Sequence, residues 1–161
     1  LVLAQFLIDE GLLTGSAEDA VATGAHALFF PHGVGHLIGL DVHDMEGFGD
    51  RQAYPAGRTR SAQFGTGYLR LDVDLEAGMA VTIEPGFYVV PAILADAALT
   101  EQFAGQLNLT AAREWIGFGG IRIEDDVLTT DGEPQVITEG IPKTVAEVEA
   151  AMAEDFVWGA A

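Results

Sequence analysis

The chain contains no cysteine, so neither a disulfide framework nor a thiolate metal site can be built from it. Histidine and the carboxylates remain as its strong metal ligands, and the absence fits a reducing, cytoplasmic setting. Cations are also scarce: 7 Lys and Arg stand against 25 Asp and Glu, a formal net charge of −18. Such a surface repels a phosphate backbone, which argues against nucleic-acid binding. No apolar run approaches the roughly 20 residues of a membrane span, so no membrane partner is expected. The opening LVLAQFLIDEGLL lacks a basic leader and a small-residue cleavage site, and does not read as a signal peptide. It begins with Leu1 rather than methionine, as a sequence truncated at that end would.

What is present suffices for a core. With 49% hydrophobic residues over 161 positions, one folded domain is expected rather than disorder. Residues 1–13 place Leu3, Phe6, Leu7 and Leu13 at roughly helical spacing, closed by Gly15. Ser16 with Asp19 reads as a capping box that opens a second helix running to about Leu28, before Pro31. Residues 32–39 hold three glycines, which disfavours helix and predicts extended, closely packed backbone. Residues 46–67 read as a long surface loop. Gly78 to Val90 reads as strand, turn at Pro85-Gly86, strand, and 91–115 as a less regular region. IRIEDDVLTT is a further strand, followed by a turn at Asp131-Gly132 and a short strand near Gln135 to Thr138. Thr144 with Glu147 caps a last helix, VAEVEAAMA. Strands in the middle and helices at both ends predict an α+β domain with mainly antiparallel pairing, flanked by helices.

Three of the four histidines, His32, His36 and His43, lie within twelve residues. The spacing of the first two puts both rings on one face of a strand, and would do so on a helix. A lone histidine is more often a satisfied core residue; three in a glycine-rich setting favour a functional site. HEXXH is absent, so the zincin arrangement has no support. Glu84 stands inside an otherwise apolar strand, directly before Pro85. A buried carboxylate there needs a salt bridge or a metal, unless it lies on an exposed edge. In 121–126, alternation puts Arg122, Glu124 and Asp126 on one face, and Ile121 and Ile123 on the other. That pattern fits a plain ion pair on an open sheet. The glycines of GFGG just before it fit a pocket wall. One imidazole and two carboxylates suit Mn²⁺, Co²⁺, Fe²⁺ or Zn²⁺ better than copper or calcium.

Taken in order, HGVGHLIGLDVHD (32–44), VTIEPGFY (81–88) and GGIRIEDDVLTT (119–130) resemble the pita-bread metallopeptidases, in the aminopeptidase P and prolidase branch. The resemblance implies a pita-bread fold and metal-dependent hydrolysis of Xaa-Pro peptide bonds. The aminopeptidase reading comes first, with a prolidase acting on dipeptides as the alternative. It implies two divalent ions, Mn²⁺ foremost and Co²⁺ or Zn²⁺ as substitutes. His36, Glu84 and Glu124 would be metal ligands, Glu84 also assisting the attacking water and Glu124 bridging both ions. His43 would meet the scissile carbonyl, and His32 the proline side of the substrate. Arg122 would orient the bridging carboxylate and the substrate, while Arg70 would hold the substrate carboxylate.

The family site has two further aspartates upstream of its histidines. The acids before His32 are Asp9, Glu10, Glu18 and Asp19, all in expected helices or turns. The chain therefore reads, over 1–161, as the carboxyl-terminal part of one catalytic domain, lacking the amino-terminal domain and the first part of the catalytic one. As such it is expected to be inactive or weakly active alone. The family's habit of forming dimers or tetramers implies a homo-oligomer. A non-catalytic, protein-binding pita-bread module is the competing class, disfavoured because the three ligand positions are intact.

Overall fold

The computed structural model describes residues 1–49 and 53–153. Two helices open it: α1 (Val2–Asp9) and α2 (Ala17–Thr23), followed by a 3₁₀ turn, Ala25–Leu28. The Ser16 side chain accepts from the Asp19 amide, so this cap forms as its residues predict. Both helices are shorter than their apolar spacing suggested. α1 stops at Asp9, with Gly11 at φ +69, and Leu13 bridges instead to Leu107. α2 stops at Gly24, whose φ of +89 is a left-handed cap that a side chain would resist.

The strands carry the site. β1 (Ala80–Ile83) pairs antiparallel with β4 (Asp125–Leu128), and β4 with β5 (Gln135–Val136). β2 (Gly86–Tyr88) pairs antiparallel with β3 (Gly120–Arg122). Ala80 faces Leu128 and Gly86 faces Arg122, which is one continuous register. Carried across the gap, that register sets Glu84 opposite Glu124. No turn forms at Pro85-Gly86, and 121–130 is two strands rather than one. Pro85 has no amide proton to give the ladder, and both chains part from it at the same level.

Residues 34–38 run beside β1 on its other edge. Glu84, Thr82 and Ile38 amides bond to the Val34, His36 and Ala80 carbonyls at 2.7, 2.9 and 3.0 Å. The approach is close enough that a Cβ on Gly35 would fall 1.9 Å from the Thr82 carbonyl oxygen. Glycine is required there for contact rather than for turning.

The region read as irregular contains three short helices: α3 (Pro91–Ala95), α4 (Ala97–Gln102) and α5 (Leu109–Glu114). Asp96 caps α4 and Asn108 caps α5 through side-chain oxygens, and Pro91 starts α3. Each is too short to display a hydrophobic period. Together with α1 and α2 they bury Leu7, Leu12, Leu13, Phe29, Leu94 and Phe103 against Phe87, which has Phe6, Phe29, Trp115 and Phe118 around its ring. α6 (Val145–Ala153) follows a formed Thr144–Glu147 capping box.

Residues 50–52 of the expected 46–67 loop lie outside the described residues. The described part is not simply surface: Tyr54 is buried, donating to the Leu69 carbonyl at 2.8 Å, and residues 60–65 wall a cavity.

Candidate metal centre

Strand geometry converges His36, Glu84 and Glu124, whose ligand atoms all lie within 4.8 Å of one another. His36 comes from the segment edging β1, Glu84 from the end of β1, and Glu124 from the break before β4. The first two are buried and the third exposed. His36 Nδ1 lies 2.9 Å from the Leu37 carbonyl, so Nδ1 carries the proton that this oxygen accepts. Nε2 is then the free lone pair, 3.2 Å from Glu84 Oε1. Two acceptors in a buried place face each other in this way only around a proton or a cation. The donor set therefore fits a divalent metal ion.

Glu84 has every oxygen occupied. Thr82 Oγ1 accepts from the His36 amide at 3.0 Å and donates to Glu84 Oε1 at 3.1 Å. Arg122 Nη1 donates to Oε2 at 2.6 Å. The sequence posed a salt bridge and a ligand role as alternatives for Glu84; its surroundings accommodate both. Arg122 also donates from Nε to the Tyr88 hydroxyl at 2.7 Å, and its Nη2 lies 3.2 Å from His32 Nε2. The bond to Tyr88 holds the guanidinium above its ordinary pKa, against partial burial; the charges of Glu84 and Glu124 add to the rise. Arg122 thus grips Glu84 directly and reaches Glu124, the carboxylate it was expected to orient, only through its field.

His32 Nδ1 faces the Gly33 carbonyl at 2.7 Å, and its Nε2 the Tyr88 hydroxyl at 3.1 Å. Its ring packs on Phe30 at 4.4 Å. His43 stands edge-on to His36 at 4.4 Å between ring centres, with Nδ1 3.5 Å from Glu46 Oε2. Arg70 is ion-paired with Glu46. All six predicted residues other than Glu124 line one cavity of about 840 Å³. Asp125, the neighbour of Glu124, turns elsewhere: its Oδ1 accepts from Thr138 Oγ1 at 2.6 Å and pairs with Lys143 at 3.0 Å. Of the upstream acids, Asp9 bonds Gln5 and Asp19 bonds Ser16; neither joins the cluster.

Sequence reasoning missed Tyr88, Thr82 and Glu46. Tyr88 ends the quoted VTIEPGFY block, and Thr82 on β1 stands two residues before Glu84, which is a usable signal. Glu46 carries none, because its partner Arg70 lies across a loop.

One imidazole and two carboxylates, one of them held by an arginine, beside two more histidines in an open cavity, make a candidate metal site on a mixed helix and antiparallel-sheet frame. The chain belongs to metallopeptidase family M24, whose model matches residues 5–131. It is 45% identical over 141 residues to the Xaa-Pro dipeptidase of Xanthomonas campestris pv. campestris, covering 88% of this chain and 31% of that one. Against the human Xaa-Pro dipeptidase the identity is 41% over 143 residues, 89% of this chain and 28% of the other. Among solved structures, Pseudomonas aeruginosa aminopeptidase PepP superposes with a TM-score of 0.59 at 38% identity, over 93% of this chain and 26% of that one. Zinc-substituted Escherichia coli aminopeptidase P gives 0.57 at 32%, over 94% and 26%. The pita-bread fold and the aminopeptidase P and prolidase branch are thereby established. The chain spans less than a third of the length of these relatives.

Proposed function

We propose that this chain supplies the histidine and two glutamate ligands of a dinuclear metal site that hydrolyses Xaa-Pro peptide bonds. The observation that carries the reading is the convergence of His36, Glu84 and Glu124 within 4.8 Å in a family M24 chain. Two divalent ions, Mn²⁺ first and Co²⁺ or Zn²⁺ as substitutes, would polarise the scissile carbonyl and activate a water there. Glu84, with Oε2 on Arg122 and Oε1 on Thr82, is oriented to take a proton from that water as general base. His43, beside His36 on the cavity wall, donates to the oxyanion of the tetrahedral intermediate. His32, on Phe30 and Tyr88, forms an aromatic wall for the proline ring. Arg70 receives the substrate carboxylate.

The aminopeptidase reading, for longer peptides, is the first; the 45% identity to an Xaa-Pro dipeptidase favours the prolidase reading as the second. Residues 1–161 would form the carboxyl-terminal part of the catalytic domain, with two aspartate ligands supplied from outside it and little activity alone. No helix among the described residues is long and apolar enough to cross a membrane. A cytoplasmic location is supported by the lack of cysteine.

Metal uptake from Mn²⁺, read by elemental analysis after gel filtration, tests the ligand set. Glu124→Ala should lose bound metal, while Asp125→Ala, whose carboxylate serves Thr138 and Lys143, should retain it. Equal losses would reject the site. In the natural full-length product, Mn²⁺ should accelerate cleavage of an Xaa-Pro peptide. An intact peptide with no metal response would reject the enzymatic reading.

A further inference from the structure

We propose that Glu46 is a resident carboxylate that occupies Arg70 until a substrate carboxylate displaces it, with His43 registering the exchange. The inference rests on the reading of Arg70 and His43 as substrate-contacting residues. Among the described residues, three arginines line the cavity: Arg60, Arg70 and Arg122. Arg122 is committed to Glu84, Tyr88 and His32. Arg60 lies over the rings of Tyr54 and Tyr68, at 5.1 and 5.7 Å, and donates to the Gly67 carbonyl at 3.4 Å. Arg70 instead meets a single exposed carboxylate. With 43% of its side chain and 48% of that of Glu46 in solvent, the pair is weak and readily exchanged.

Glu46 reaches both residues because of its backbone. Met45 has φ +62, the one positive value at a non-glycine among the described residues. This unfavourable conformation turns the chain into the 3₁₀ helix Glu46–Phe48 and brings Glu46 back toward His43. Oε1 then holds Arg70 while Oε2 lies 3.5 Å from His43 Nδ1. One carboxylate joins the cavity's exchangeable cation to the ring that abuts His36.

The carboxyl terminus of an Xaa-Pro dipeptide carries the same charge and the same pair of acceptor oxygens. It gains Arg70 only by expelling Glu46, which also ends the hold on His43. A peptide without a carboxylate in reach leaves the pair intact. Glu46 therefore acts against free dipeptides and in favour of substrates whose chain continues or is capped. It is a specificity-determining residue between the two readings above.

Isothermal titration of the natural full-length product with Ala-Pro and with Ala-Pro amide tests this. Glu46→Gln should bind the acid about two- to five-fold more tightly, the span that breaking an exposed ion pair represents. Binding of the amide should not change, and Arg70→Gln should erase any preference between acid and amide. In the unmodified chain, the ¹⁵N resonance of His43 Nδ1 should shift on adding the acid but not the amide. In Glu46→Gln it should lie near the shifted position from the start. Acid binding that is unchanged or weaker in Glu46→Gln would overturn the proposal. Failure of the natural full-length product to bind either peptide would reject the Xaa-Pro reading and this proposal with it. The exposure of Glu46 makes its variant safe for folding, which circular dichroism would verify.

Discussion

The Thr82 hydroxyl serves two neighbours, one through its oxygen and one through its single proton. It is 1% exposed, accepts from the His36 amide, and so must donate to Glu84 Oε1. Thr82→Val keeps the shape but strands the His36 amide and removes one donor from Glu84. The expected cost is about 1–3 kcal/mol in urea unfolding, with metal affinity roughly 10- to 100-fold lower. Thr82→Ser should restore most of both. A serine variant as impaired as the valine would assign the role to packing instead. The cluster of His36, Glu84 and Glu124 was legible through the three motifs that resemble the family, and because a glutamate in an apolar strand advertises its need for a partner. Thr82 was not legible in the same way. A hydroxyl has no charge to account for, and its service to two residues exists only once 34–38 lies against β1.

Among elements, the ends were easier to read than the middle. Ser16 and Thr144 are local signals whose partners sit three residues away, so folding could hardly alter them. α3, α4 and α5 were hidden because short capped helices lack a period, and because they are held by docking on the core that contains Phe87. The strand breaks were hidden for another reason: alternation continues through 121–126 although the pairing partner changes. The capping box of α6 carries a pH signature. Hydrogen bonds from the Thr144 amide and hydroxyl and the Lys143 amide hold the Glu147 carboxyl below its ordinary pKa. A depressed carboxylate contributes stability above its unfolded pKa and loses it as pH falls through the folded one. Amide exchange in 145–153 should accordingly rise as pH drops below about 4, after correction for intrinsic rates. Glu147→Gln should show the faster, pH-independent opening already at neutral pH. A flat profile in both proteins would deny the cap this role.

At the scale of the molecule, a formal charge of −18 makes any cation stabilising to some degree, so specificity must be separated from screening. Mn²⁺ at a hundred times its dissociation constant should add about 2.7 kcal/mol to unfolding, and the gain should follow a saturation curve. Sodium chloride of equal ionic strength should give a smaller, unsaturating gain. If Glu84→Gln gained as much from Mn²⁺ as the unmodified chain, diffuse screening would be the cause and the ligand set would be wrong. The paired interruption of the ladder has a consequence beyond the site it opens. Glu84 and Glu124 face each other across one register that runs on to Tyr88 and Gly120, so the chain between those two leaves the ladder and returns to it at the same level. That span is a closed excursion, its exit and re-entry pinned by β2–β3 and, further along the same register, by β1–β4. Its far side is held as well: Phe103 and Leu107 lie in the main core, and Leu107 bridges to Leu13. The span that closes the site is thereby also part of the molecule's hydrophobic core.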